Sequence, residues 1–388
     1  MAPLAVNAPI GVYIHVPFCA HICPYCDFNT YAGQTELIPA YVDAVRRDIE
    51  LSARLTGRRA VSSIFFGGGT PTLLAASQIE ALYQCILDWY DAAADAEVTV
   101  EANPNGLTAD YLSGLRGAGV NRLSIGLQTT DRRGLRRLGR LHEAADAESA
   151  VRAAVAAGFQ RISLDLIFGW PGQELESLAA DIDRVLSWAD GAVDHLSLYS
   201  LIVEPGTPMA DAVQRGIITV PNEDETADLY ELAMERLAEA GWEHYEVSNW
   251  SRWSDGGSAH NILYWRNGEY LGLGAGAHGR IGTTRTMRHL LPATYIGSVD
   301  AGDPVSNADE IDEATARGET MMLGLRLLRE GVTHAEFEAR HGVRLLDHFG
   351  EVIARHNAIG LLELDDRGVR LTRRGLLLAN DVCADYLP

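Results

Sequence analysis

Hydrophobic and polar positions follow two rhythms along the first two-thirds of the chain. Short apolar, β-branched runs at 11–16, 61–66, 97–101, 122–127, 161–168 and 195–202 read as strands. Between them, at 36–55, 77–90, 109–118, 143–157 and 173–188, apolar residues return every three or four positions, the period of a helix with one buried face. Strands alternating with helices predict an α/β fold whose parallel sheet is joined by right-handed crossovers. The expected arrangement is a partial (βα)6 TIM-like barrel, with an open doubly wound sheet as the alternative.

A further helix is expected from 222 to 240, then a strand near 245–248. Segment 251–259 (SRWSDGGSA) is turn-rich and reads as a loop. Segment 271–282 is dense in glycine, which predicts backbone packed closely against a neighbour. From 311 the pattern changes to short helices at 314–328, 333–341 and 345–357. Two apolar runs, 361–364 and 369–371, then flank an Asp-Asp-Arg-Gly turn and predict a hairpin. The expected organisation is a core barrel over 9–250, a connecting segment over 251–310 and a small, mostly helical, winged-helix-like domain over 311–388.

The chain has 388 residues, 47% of them hydrophobic, enough to bury one large core and one small one. No apolar run approaches the roughly 20 residues of a membrane-spanning helix, and residues 1–9 lack the pattern of a secretory signal. A formal net charge of −21 speaks against nucleic acid and anionic lipid as partners, both of which select clustered positive charge. Every one of the 32 basic residues is arginine. Without lysine there is no Schiff base and no phosphate-binding P-loop lysine. Of five cysteines, three crowd into eight residues. That is not a disulfide framework; it predicts a reducing, cytoplasmic setting with a metal or cluster site.

The crowded cysteines lie in Tyr13-Ile-His-Val-Pro-Phe-Cys19-Ala-His-Ile-Cys23-Pro-Tyr-Cys26-Asp-Phe28, directly after the first strand, where the active face of a βα barrel lies. Three thiolates on one tight loop can hold three corners of a [4Fe-4S] cluster and leave the fourth iron open to a chelating small molecule. In radical SAM chemistry that molecule is S-adenosylmethionine (SAM), whose sulfonium accepts an electron and breaks a C–S bond. Phe18, Tyr25 and Phe28 are expected to wrap the cluster in apolar surface. The alternative is a structural zinc site completed by His21 or His15. Cys85 and Cys383 sit among apolar residues and read as buried small hydrophobes.

Other candidates cluster at the same barrel face. The Gly67-Gly68-Gly69-Thr70 run follows the second strand and offers exposed amides to a ligand. Glu101, Gln128 and Asp165 lie at or near the ends of the next three strands, suited to ribose hydroxyls, an ammonium or an adenine edge. Arg140 can hold a carboxylate by two parallel bonds. His260 opens His-Asn-Ile-Leu-Tyr-Trp; beside Tyr264 and Trp265 it is either a heme-iron ligand or a hydrogen-bonded cap on an aromatic cluster. His278 is a second ligand candidate.

Segment 13–28, the 67–72 run, Glu101-Ala-Asn-Pro, Ile125-Gly-Leu-Gln128, Asp165-Leu-Ile-Phe-Gly169 and 260–265, in this order, resemble the HemW heme chaperones. That radical SAM family is akin to oxygen-independent coproporphyrinogen III oxidase. The resemblance implies Cys19, Cys23 and Cys26 as cluster ligands. It places Tyr13, Tyr25, Gly68, Gly69, Thr70, Glu101, Gln128, Arg140 and Asp165 around one or two SAM molecules. It makes His260 the heme contact, heme-acceptor proteins the partners and a homodimer a possible state. The oxidases carry a further cysteine where this chain has Phe28, and a longer N-terminal segment before the first strand. Both departures favour heme delivery over decarboxylation of porphyrinogen propionates, with a radical SAM methyltransferase as the third reading.

Overall fold

The apolar runs become the staves of one curved sheet. The computed structural model describes residues 8–388; the reading of residues 1–7 as free of a signal lies outside the described residues. Six strands stand side by side in parallel and in chain order: Ile10–Val16, Ala60–Gly68, Asp91–Ala102, Arg122–Gln128, Arg161–Phe168 and His195–Ser200. Helices Ile38–Thr56, Ala76–Trp89, Ala109–Gly117, Ala144–Ala156, Leu175–Ser187 and Glu223–Glu239 return the chain between them or close the series. The strands alternate between faces: Ile64, Val98 and Leu123 pack in the apolar core under the helices, while Ser63, Glu97 and Arg122 are buried on the other face. The barrel stays open: the twelve-stranded sheet ends in Val305–Glu310 at one edge and Glu243–Glu246 at the other.

The sheet exceeds the six expected strands. Tyr270–Leu273 adds a seventh parallel strand outside the first, Val12 pairing with Leu271. It comes from the glycine-dense segment, and the reason for those glycines is steric. A Cβ on Gly272 would lie 1.8 Å from the His278 carbonyl oxygen across the tight turn to His278–Ile281. Strands Thr284–Arg288 and Val305–Glu310, and helix Pro292–Asp300 between them, continue this antiparallel edge. Their residues carry no clear alternation, so none was expected. The third strand also begins earlier than predicted, at Asp91, because the alanine-rich stretch pairs with Ala60 and Val61. Helix Arg132–Arg137, too arginine-rich to show an apolar stripe, is capped by Asp131.

Residues from 313 onward form helices Glu313–Gly324, His334–His341 and Leu345–Ala358 around a small sheet in which Gly368–Leu371 lies between Val332–Thr333 and Leu362–Leu364. This module has its own apolar core, centred on Met321, Phe337 and Ile353. Cys85 and Cys383 are both buried, as expected. No helix among the described residues is long and apolar enough to cross a membrane.

Candidate functional site

The three clustered cysteines, the residues expected around SAM and His260 line one cavity of about 620 Å³, at the C-terminal ends of the parallel strands. That size falls within the ~300–1,000 Å³ typical of small-molecule sites. Two loops form one wall. The first leaves strand Ile10–Val16 and carries Cys19, Cys23 and Cys26. Its ends are pinned by a short parallel ladder, Phe18–Cys19 against Tyr31–Ala32. From behind, Met209 N donates to the Pro24 carbonyl (2.9 Å), and Tyr25 packs on Leu138, Ile167 and Trp170. A side chain on Gly139 would come within 2.4 Å of Pro24, so glycine lets the brace approach.

The second loop is the glycine run. Gly69 N donates to the Val16 carbonyl and Thr70 N to the Phe18 carbonyl, both at 2.8 Å, so it is sewn to the root of the cysteine loop. A Cβ on Gly69 would sit 2.7 Å from the Phe18 oxygen and 3.0 Å from Cys19 Sγ. The contact therefore needs bare backbone. Gly68 N donates to Glu101 (3.0 Å), tying the glycine run to the next strand.

The three thiols are half-buried and face polar neighbours. Thr70 Oγ1 lies 3.6 Å from Cys19 Sγ, and Arg140 Nη1 lies 3.5 Å from Cys23 Sγ. Burial pushes the Cys19 and Cys26 thiols up, so without a metal they hold their protons. Bound iron replaces those protons. Three sulfur donors on one loop, with apolar backing and an open side, fit a four-iron cluster lacking a fourth protein ligand. No three or more His, Cys, Asp or Glu among the described residues gather as they would round a single metal ion. His15, one of the two histidines considered for completing a zinc site, has both ring nitrogens engaged. Tyr13 Oη and Asn29 O each lie 2.9 Å from one of its ring nitrogens.

The rest of the cavity lining is charged and polar. Glu101 and Asp165 stand on neighbouring parts of the floor. Burial, and then the charge of Asp165, raises the Glu101 carboxyl to about 8. Asp165 is raised mainly by burial and accepts from Ser124 Oγ at 3.0 Å. Arg140 Nη2 donates to Asn103 Oδ1 (2.5 Å) and the Gly126 carbonyl (3.0 Å), while Asn103 Nδ2 donates to Thr70 Oγ1 (3.0 Å). Asn103 thus couples the glycine run to the arginine. Sequence reasoning missed it, although it stands in the quoted Glu-Ala-Asn-Pro motif. Gln128 takes a left-handed backbone (φ 71°) as its strand ends, a strained turn that aims it at the cavity. A cation flanked by two acids, with amides and Arg140 for a carboxylate, matches the donor groups of an amino-acid sulfonium.

Two expectations about aromatic residues need correction. Phe18 is fully buried against Tyr41 in the core, because the strand pleat turns it away from the loop. Phe28 is 65% exposed at the rim and encloses nothing. Of the three, Tyr25 alone backs the cysteines. His278 lies on the antiparallel edge and does not line the cavity.

His260 begins helix Ala259–Trp265 and reaches the cavity wall from within the barrel. It is 1% exposed. One ring nitrogen lies 2.9 Å from Ser63 Oγ and the other 2.8 Å from Tyr264 Oη, and the ring stacks on Phe65. Burial drives its pKa down to about 3, keeping it neutral. Glu97 on the third strand caps the helix, accepting from Ala259 N (3.1 Å), His260 N (3.2 Å) and Ser258 Oγ (3.3 Å). The other end is held by the C-terminal module. The Arg326 guanidinium lies 4.2 Å over the Trp265 ring, Arg266 pairs with Glu330, and Arg340 donates to the carbonyls of Arg266 and Asn267. The 260–265 motif is therefore a strut between barrel floor and C-terminal module.

Comparison with known proteins agrees with this architecture. The radical SAM superfamily matches residues 13–185, and the HemN C-terminal domain matches 311–378. The chain is 39% identical to "Heme chaperone HemW" of Bacillus subtilis, over 97% of this chain and 99% of the relative. It is 38% identical to the protein of the same name from Mycobacterium tuberculosis, over 100% and 97%. The solved structure of coproporphyrinogen III oxidase (HemN) from Escherichia coli, a radical SAM enzyme, superposes with a TM-score of 0.83 at 25% identity. The match covers 98% of this chain and 90% of that one.

Proposed function

The chain belongs to the HemW family of radical SAM proteins, and from that membership we propose that it binds heme and delivers it to acceptor proteins. Cys19, Cys23 and Cys26 hold a [4Fe-4S] cluster, and the cavity beside them takes SAM. When bound, these groups supply one-electron chemistry. The chain's own part is positional. The glycine run and Arg140 receive the carboxylate end of SAM, Glu101 and Asp165 its ammonium and ribose, and Gln128 its base.

The observation that carries delivery over porphyrinogen oxidation is Phe28. It is an exposed ring at the cavity rim, at the position where the resembling oxidases have a further cysteine. It adds apolar surface for a flat ligand and no sulfur. His260 joins this reading as part of the cavity wall; to hold iron it must first give up the bond to Ser63 or to Tyr264.

Anaerobic protein with reconstituted cluster tests the reading. Stoichiometric hemin binding, with no protoporphyrinogen formed from coproporphyrinogen III and SAM, is expected. Turnover of coproporphyrinogen without hemin binding would establish the oxidase instead.

A further inference from the structure

A buried guanidinium demands partners, because its charge and its N–H donors lose water on folding. Arg122 lacks them. It opens strand Arg122–Gln128 and is 2% exposed, yet its Nε is buried with no hydrogen-bond partner. Its ion pair with Glu97 is 3.9 Å long, beyond hydrogen-bond reach. That carboxylate is already taken by the amides of Ala259 and His260 and the Ser258 hydroxyl. Beside Arg122 in register, Thr99 is fully buried and its hydroxyl is likewise unpartnered. The arginine faces the cavity. Arg122, Ser124, Gly126 and Gln128 all line it, as alternate residues of one strand do. Arg122 therefore lies about 13 Å of strand below Gly126, at the bottom. Gly126 keeps the way down open: a Cβ there would lie 2.9 Å from Gln128 Nε2. Phe65, level with Thr99, and His260, which stacks on it, line the same cavity.

We infer that Arg122 is the carboxylate-binding group at the bottom of the cavity and receives a propionate of the bound porphyrin. This rests on the heme reading above, adds a polar anchor to it and leaves His260 as the iron contact. A guanidinium offers a carboxylate two parallel donors. The SAM carboxylate already has receivers at the rim, in the glycine run and Arg140. A porphyrin is flat and apolar with its carboxylates on one edge, and the rings of Phe65 and Tyr264 stand in the lining with the arginine. Little negative charge opposes the anchor. Glu101, raised to about 8 by burial and then by Asp165, is protonated at neutral pH in the empty cavity, and Asp165 is held by Ser124.

Protoporphyrin IX, its dimethyl ester, hemin and SAM are titrated into cluster-reconstituted wild type, Arg122→Met and Arg122→Lys, with iron content measured alongside. Wild type is expected to bind the diacid about ten- to a hundredfold tighter than the ester. Arg122→Met should lose that preference and keep wild-type SAM affinity and iron content. Arg122→Lys should recover part of it, having the charge without the fork. Equal affinity of wild type for acid and ester, the result if only water fills the place, would overturn the inference whether or not the variants fold. So would a preference that survives in Arg122→Met. Loss of SAM affinity in place of the porphyrin preference would give the arginine to the SAM carboxylate and overturn the propionate assignment. Failure of wild type to bind hemin or porphyrin at all would overturn the heme reading and this inference together.

Discussion

The cysteine loop and the Ala259–Trp265 helix face one cavity, yet they are built in opposite ways. The loop is braced from behind and bare in front: its thiols and His21 present donors to open space. The helix turns its histidine and both of its ends into the protein. His260 is bonded twice, its N-terminal amides are capped by Glu97, and its C-terminal end is gripped by Arg326 and Arg340. Free donors at a surface are available for chemistry, whereas satisfied donors in a core specify shape. Two histidines that look alike in the sequence therefore stand in opposite surroundings, one sealed and one exposed.

Substitution separates the two regions. The largest effect is expected from Cys19→Ala, Cys23→Ala and Cys26→Ala together, which should abolish iron uptake, read by iron assay and visible absorption, while the fold survives. His260→Ala should do the reverse, keeping cluster iron and losing about 3 kcal/mol of stability, since it opens a cavity and strands two hydroxyls. Denaturant unfolding measures this. His260 is neutral in the fold with its pKa lowered to about 3, so its stabilisation is present above the ordinary 6.5 and lost as pH falls from there toward 3. The gap between wild type and His260→Ala should narrow over that window.

A smaller effect should appear at Glu101. Its carboxyl, raised to about 8 by burial and by Asp165, is protonated in the empty cavity at neutral pH. A cationic ligand favours the ionised form and lowers that pKa, so binding releases a proton. SAM affinity should then rise with pH by up to about tenfold per unit and level off above 8. Glu101→Gln should flatten the profile; equilibrium binding at several pH values checks it. Least of all, Phe28→Ser should change stability by under about 0.5 kcal/mol, because its exposed ring supports nothing in the fold.

The six-strand alternation, the C-terminal hairpin and the cysteine spacing were legible because each is a local pattern with one physical reading. The antiparallel edge at 278–310 was not. Its strands pair with their own chain neighbours, but their residues carry no clear alternation, and the first turn closes only because glycine permits the contact, as at Gly272. Asn103 was hidden for a related reason: its importance is a bridge between Thr70 and Arg140, residues from two other βα units.

The sequence by itself determined the barrel order, the place of three thiols after the first strand and the membership of the other candidates in one face, because strand period and chain order dictate these. Which histidine is sealed and which is free, and which phenylalanine is core and which is rim, only the tertiary structure decided. Burial and hydrogen-bond satisfaction depend on neighbours brought from elsewhere: Ser63 and Phe65 to His260, Tyr41 to Phe18, and to His21 and Phe28 none that covers them.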